Sequence, residues 1–194
     1  MSLLLRSPPR LLPLQAAVAV AEVAGGGAMI KWPNDVVVAL PDAPPPGLGK
    51  LAGILIEGRP QEGWAVLGIG LNVAVRLEDL PEELRPRTGG QQPNPEVPPP
   101  ASGLPAASMG GGPGDVEAVL TRLLDALAHR MAESAETTLQ AWRARDALKG
   151  REIAWSGGSG RADGIDGDGR LVVALPGGGH TAIGSGEVHL ERID

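Results

Sequence analysis

Three short segments place charged or amide side chains where an apolar strand would otherwise run: Lys31-Trp32-Pro33-Asn34-Asp35, Lys50-Leu51-Ala52-Gly53-Ile54-Leu55-Ile56-Glu57 and Gly68-Ile69-Gly70-Leu71-Asn72-Val73. An unpaired ammonium, carboxylate or amide in such surroundings is costly, so each needs a partner. Two kinds of partner suit these residues. One is internal, an ion pair from Lys31 or Lys50 to Asp35 or Glu57. The other is an anionic ligand with phosphate and carboxylate groups, met by compact Lys charges and by close backbone approach at Gly53, Gly68 and Gly70. Asn34, Asp35 and Asn72 are then placed to orient a metal ion or a base.

The use of cations supports asking about the lysines. Of 17 basic residues only Lys31, Lys50 and Lys149 are Lys, and the rest are Arg. A guanidinium is a wide planar fork and an ammonium is a point charge, so a narrow anion site accepts Lys and refuses Arg. Lys149, just before Gly150, reads instead as a residue at a helix end.

Other chemistries lose their support. Gly49-Lys50 is followed by Leu51, and Pro44 stands where a phosphate-binding loop of the Walker type needs its first Gly. Asp163, Asp166 and Asp168 lack the Gly and Glu spacing of a calcium loop and read as a hairpin turn. There is no Gly-x-Ser-x-Gly, no His-Glu-x-x-His and no Cys, which removes serine hydrolases, zinc peptidases, disulfides and thiolate metal sites. A formal charge of -6 disfavours broad attraction to nucleic acid or to an anionic membrane. The opening Leu run is broken by Pro8, Pro9 and Pro13 well short of a membrane span, and the protein is expected in the cytoplasm.

The elements that must position these residues follow from periodicity. Leu14 to Ala24, ending at Gly25-Gly26-Gly27, is a short helix. Ala28 to Trp32, Val36 to Leu40, Leu51 to Glu57 and Trp64 to Val75 read as adjacent strands of one buried sheet. Glu78 to Asp115 holds nine Pro and seven Gly in 38 residues, and the expectation is a disordered or loosely held insertion. After Asp115, an expected N-cap, the stripe Val116, Val119, Leu120, Leu123, Leu124, Leu127, Met131 marks a helix, and Ala135 to Leu148 a second. Arg151 to Trp155, Ala162 to Ile165, Arg170 to Leu175, His180 to Ile183 and Glu187 to Leu190 are short strands joined by Gly-rich or Asp-Gly turns, the pattern of a small β-barrel. With no Phe or Tyr, the core must be built from Ala, Val, Leu and Ile.

In the order and spacing of its three polar segments the chain resembles the biotin protein ligases, whose Lys-Trp-Pro-Asn-Asp, Lys-Leu-Ala-Gly-Ile-Leu-x-Glu and Gly-Ile-Gly-x-Asn-Val segments they match. Ser2 to Pro8 is similar to the strand before that family's first helix here, and Gly164 to Leu171 with Ser185 to Val188 to its small SH3-like C-terminal domain. The resemblance implies an α/β (α+β) fold: a class II synthetase-like catalytic sheet with packed helices over residues 1–148, and an SH3-like barrel over 149–194. It implies ATP-dependent formation of biotinyl-AMP, then transfer to a lysine of the biotin carboxyl carrier domain of a carboxylase such as acetyl-CoA carboxylase. Carried over by segment, Lys50 is the catalytic, electrostatic residue and meets biotin with Gly53 and Ile54. Lys31, Asn34, Asp35, Gly70 and Asn72 serve ATP, and Asp35 serves Mg²⁺. Lipoate-attaching relatives share the fold, but Lys31 to Asp35 together with Gly68 to Val73 favour biotin. The family also carries an upstream Gly-Arg-Gly-Arg-x-Gly-Arg loop, and this chain begins after it, so the expectation is an N-terminally truncated ligase with impaired transfer. The competing expectations are a protein that holds biotin or its adenylate without making it, and a carrier-docking remnant.

Overall fold

Backbone continuity across strands is what brings the three polar segments together. The structure, a computed structural model, describes residues 1–43, 47–59, 62–87 and 103–190. β1 (Ser2–Arg6), β2 (Met29–Lys31), β3 (Asp35–Ala39), β4 (Leu48–Arg59) and β5 (Trp64–Leu71) form one antiparallel sheet in the order β1-β5-β4-β3-β2. Along β5 the side chains alternate as a strand requires. Ala65, Leu67 and Ile69 are buried on the helical side, while Gly68 and Gly70 lie on the other face, across from Leu55 and Gly53 of β4.

The helix α1 (Leu12–Ala24) covers the inner face. Pro13 sits in its first turn, where a missing N–H costs nothing, and ten of its residues are buried. Gly25, Gly26 and Gly27 all have positive φ, which lets the chain turn sharply into β2. Outside α1 lie α2 (Val116–Met131), inserting Val119, Leu123 and Leu127, and α3 (Ala135–Arg143), inserting Leu139 and Trp142. Ser134 caps α3 by accepting from Thr137 N at 3.1 Å. Arg130 of α2 pairs with Glu22 of α1 and with Glu133, tying the helices on their polar side.

Three sequence expectations need correction. Asp115 accepts from Gly112 N at 2.8 Å and closes the 3₁₀ turn Pro113–Asp115 rather than capping α2 with its side chain. The second helix stops at Arg143, not Leu148, because residues 145–147 instead cover the outer edge of β2: Ile30 N donates to Arg145 O at 2.7 Å and Ala147 N to Ile30 O at 2.9 Å. Pairing with an otherwise open strand edge outweighs one further helical turn. Lys149 is therefore not at a helix end; its N–H reaches the Asp146 carboxylate.

The Pro- and Gly-rich insertion is also not loose throughout. Residues 88–102 of it lie outside the described residues. Residues 103–111 run along the first sheet, with Leu104 and Ala107 buried and Ala106 bridged in parallel to Lys50. Composition reports side-chain burial, whereas this segment is held chiefly by backbone hydrogen bonds, which composition does not record.

The C-terminal strands form a second antiparallel sheet: β6 (Glu152–Trp155), β7 (Gly158–Ile165), β8 (Leu171–Ala174), β9 (His180–Ile183) and β10 (His189–Leu190), in the order β10-β6-β7-β8-β9. Asp166 makes the hairpin after β7 by accepting from Asp168 N and Arg170 N at 2.9 and 3.0 Å. That hairpin packs on α1, since a Cβ at Gly169 would lie 2.8 Å from Leu14 Cδ1, and Trp32 Nε1 donates to Gly169 O at 3.1 Å. A single hydrophobic cluster runs from α1 and the first sheet through Trp142 into Ile153, Leu171 and Val173 of the second. Among the described residues no helix is long and apolar enough to cross a membrane.

Candidate active site

One transverse row crosses four strands of the first sheet. Lys31 pairs with Asp35, Asp35 with Gly53 and Gly53 with Gly70. Gly53 and Gly70 lack side chains, so the sheet is flat there, and nothing stands within 4 Å of where a Gly70 Cβ would lie. Strand alternation alone would group Lys50 with Ala52 and Ile54, both buried against the helices, and not with Gly53. The ladder between β3 and β4 instead shifts register: Val36 pairs with Ala52 and Val37 with Lys50, so Leu51 is the extra residue of a β-bulge. The bulge returns Lys50 to the face of Asp35 and Gly53. Lys50 Nζ lies 2.6 Å from Asp35 Oδ1, and a Cβ at Gly53 would meet Lys50 Cε at 3.2 Å and Nζ at 3.3 Å. Gly53 thus makes room for the lysine stem.

The electrostatics are uneven along the row. Asp35 is 4% exposed and Lys31 5%, while the Lys50 side chain keeps a third of its surface open. Lys31 Nζ is 3.9 Å from Asp35 Oδ2, beyond hydrogen-bonding distance. Burial pushes the Lys31 ammonium below its ordinary value. Asp35 opposes this, Lys50 adds to it, and Glu187, in the connection before β10, again opposes it. The internal ion pair read from the sequence therefore exists, with Asp35 shared between Lys31 and Lys50 and Glu187 adding to the negative charge around Lys31.

The two asparagines spend their donors within the protein. Asn34 Nδ2 donates to Ile54 O at 2.9 Å while Ile54 N donates to Asn34 O at 2.9 Å, a reciprocal clasp that fixes the turn before β3. Asn72 Nδ2 donates to Ala107 O at 2.9 Å. Each Oδ1 is then an acceptor only. Ile54, 3% exposed, faces the helical side, where with Asn34, Leu55, Arg10, Trp32 and Gly169 it lines a cleft of about 420 Å³ between the two sheets. Lys50, Asp35 and Gly70 are not part of that cleft.

Beside the charged row the open face turns apolar. Leu55, opposite Gly68, and Leu4, opposite Val66, are 59% and 68% exposed. Leu55 and Glu187 are contributors that residue-by-residue reading missed. Leu55 is next to Ile54, and its opposite orientation follows from alternation, whereas nothing in the sequence links Glu187 to Lys31. No three His, Cys, Asp or Glu side chains among the described residues stand close enough to hold a metal ion. Asp35, expected to serve Mg²⁺, is 4% exposed and already pairs with Lys50 at 2.6 Å, and Asn34 lines the cleft that Asp35 does not reach, so the protein offers Mg²⁺ at most this one carboxylate, the rest of its shell falling to phosphate and water.

Comparison with known proteins supplies the frame. Residues 150–190 match the family model of the biotin protein ligase C-terminal domain. Biotin protein ligase from Aquifex aeolicus in its apo form superposes with a TM-score of 0.72 at 22% identity, covering 98% of this chain and 81% of that one. The chain has the biotin protein ligase fold. The same Aquifex enzyme solved in complex with biotin and ATP gives a TM-score of 0.67 at 21% identity, covering 99% of this chain and 77% of that one. A biotin protein ligase-like protein of unknown function from Silicibacter sp. TM1040 gives 0.60 at 17% identity, covering 94% and 76%. No curated protein sequence matches the chain. Within the biotin protein ligase fold, the second sheet is the part whose sequence matches on its own.

Proposed function

We propose that this chain activates biotin with ATP and passes the biotinyl group to a lysine of a biotin carboxyl carrier domain. The observation that carries the reading is the Lys50 ammonium, held by Asp35 at 2.6 Å on a flat face of Gly53 and Gly70 that continues into exposed Leu55. That surface has the two characters biotin has, an apolar body and a carboxylate. In the first step a carboxylate oxygen attacks the α-phosphorus of ATP, the bond to the β-phosphate oxygen breaks, and pyrophosphate leaves. Lys50 stands where the carboxylate and the attacked phosphate bring negative charge together, and stabilises charge that grows in the transition state. Lys31, buried without a hydrogen-bonded carboxylate, supplies a second positive charge for the leaving phosphates, and its desolvation strengthens that attraction. In the second step the carrier lysine amine attacks the biotinyl carbonyl, the bond to the phosphate oxygen breaks, and AMP leaves as the amine gives up its proton.

Gly53 offers backbone to biotin in this reading and Asp35, Gly70 and Asn72 face the nucleotide, whereas Ile54, expected from the sequence to meet biotin, has its N–H and carbonyl both engaged by Asn34 on the cleft side and does not serve there. Asp35 is the residue that would hold Mg²⁺, which would supply charge neutralisation to the phosphates. The class II synthetase-like and SH3-like descriptions of the two sheets belong to the same reading, as does a place in the cytoplasm. The test is incorporation of labelled biotin into a carrier domain, run beside pyrophosphate release. ATP-dependent labelling of one carrier lysine supports it. Tight biotin binding with neither labelling nor pyrophosphate would replace it with the binding-protein reading.

A further inference from the structure

The strand position beside Lys50 is filled by an unexpected part of the chain. β5 pairs with β4 only as far as Leu71, opposite Ala52, and then leaves the sheet. Residues 105–107 take up the row from there, parallel to β4: Lys50 N donates to Pro105 O at 2.7 Å, and Ala107 N donates to Lys50 O at 2.8 Å. Asn72 stands at the changeover and ties both sides. Its N–H donates to Leu51 O at 3.0 Å, its carbonyl accepts from Met109 N at 2.9 Å, and its Nδ2 reaches Ala107 O at 2.9 Å with a longer contact to Lys50 O at 3.5 Å. The segment is anchored at its start by Leu104, 3% exposed among Val37, Leu48 and Ala147. It also lies close against β4, since a Cβ at Gly49 would meet Ala107 Cβ at 3.0 Å.

This arrangement matters because the restraint on Lys50 from the β3 side is interrupted. There Lys50 pairs with Val37, but the ladder slips at the next residue, Leu51. Both backbone polar groups of Lys50 are instead fixed from the opposite side by residues 105–107. We propose that Asn72 and residues 104–109 are positioning elements for the Lys50 ammonium, acting through the Lys50 backbone to hold the charge where the ligand carboxylate and phosphate meet. The proposal rests on the biotin-activating reading of Lys50 and adds to it that the latter half of a Pro- and Gly-rich insertion is part of the site.

The chain has three lysines, so protein labelled with ¹³Cε-lysine gives three signals, with exposed Lys149 as an internal reference. Two variants test the proposal in the ligand-free protein. Asn72→Leu keeps the approximate size of the side chain and adds no charge but removes the donor to Ala107 O, and Leu104→Ala loosens the anchor at a residue that the ligand reading does not use. The expected result in both is that the Lys50 signal moves toward that of Lys149 while the Lys31 signal stays, and that biotin affinity by calorimetry falls about tenfold. Should Leu104→Ala fail to fold, Leu104→Val gives a smaller shift of the same sign. A Lys50 signal unmoved in both folded variants overturns the proposal, because a residue acting only on nucleotide has no effect before nucleotide is added. Absence of biotin binding by the unmutated chain would overturn the functional reading alone, and the lysine signals would still decide the positioning.

Discussion

Asp35 and Lys50 meet at 2.6 Å from neighbouring strands only because Leu51 is an extra residue between them in the ladder. The pair places the ammonium over Gly53, in a space bounded by the Asp35 carboxylate and the strand itself. A guanidinium is wider and planar, and does not fit there as a point charge. Lys50→Arg is therefore expected to weaken nucleotide-dependent biotin binding almost as much as Lys50→Ala, by about 1.5 to 3 kcal/mol or roughly 10- to 150-fold. Calorimetric titration checks it, and equal affinities for the parent chain and Lys50→Arg would end the role assigned to Lys50.

Gly70 offers a substitution that separates site from fold. It lies in β5 with open space where a Cβ would go and without a positive φ. Valine suits a strand at that position, so Gly70→Val should leave the melting temperature unchanged or slightly higher while filling the flat surface beside Gly53. Biotin and ATP binding should fall together, by at least about tenfold. A melting scan beside a binding isotherm reads both, and undiminished binding would mean the ligand lies elsewhere.

Lys31 carries a cost that a ligand would offset. Its ammonium is buried, and burial is the largest influence pulling its proton affinity down. Lys31→Met keeps the length and removes the charge, while Asp35 retains Lys50. The ligand-free variant should be more stable by about 1 kcal/mol, or roughly 2 to 4 °C in Tm, yet bind ATP more weakly. In the parent chain the native state gives up the Lys31 proton before the unfolded state does at 10.5, so stability attributable to this group rises with pH toward that value. Lys31→Met should lack that rise.

Asp146 titrates in the opposite sense. Burial raises its carboxyl above the ordinary 3.8, against hydrogen bonds from Leu148 N and Lys149 N. The native state thus holds this proton more tightly than the unfolded chain, and its contribution to stability is lost as pH climbs from 3.8 through the folded value. Asp146→Asn keeps the acceptor Oδ1 and removes the charge. It should be more stable than the parent at pH 7, with the difference shrinking as the pH approaches 4 in a series of melts.

Leu104→Ala should lower stability by about 2 to 4 kcal/mol, a Tm drop of roughly 5 to 15 °C, because it empties a site buried among Val37, Leu48 and Ala147. An unchanged Tm would return residues 103–111 to the loose insertion that their composition suggests.

That segment and the Leu51 bulge mark where sequence reading stops. The strands, the helix α2 and the three polar segments were legible, because burial of Val, Ile and Leu at fixed periods leaves a trace in residue type, although only Val119, Leu123 and Leu127 of the expected α2 stripe are buried and Val116, Leu120 and Leu124 are exposed. The location of Lys31, Asp35, Gly53 and Gly70 in one row follows from antiparallel pairing of those strands. The face on which Lys50 emerges does not. Alternation assigns it to the side of Ala52 and Ile54, and only a register shift, with no residue signature in Lys50-Leu51-Ala52, moves it to the other. Likewise Pro105 and Ala107 act through a carbonyl and an N–H that every residue except proline carries, so nothing about their side chains announces contact with Lys50.

The shared apolar cluster implies that the two sheets melt as one cooperative unit. Leu11 and Leu14 at the start of α1, with Trp142 and Leu148, belong to the same buried group as Ile153, Ala162 and Leu171, and Arg143 Nη2 donates across to Ile165 O at 2.9 Å. Neither lobe can lose its order without uncovering large side chains of the other. Calorimetry should show one endotherm with matching van't Hoff and calorimetric enthalpies. A fragment ending at residue 149 should bind hydrophobic dyes and melt without a sharp transition, so the C-terminal sheet acts as the second half of the first sheet's interior.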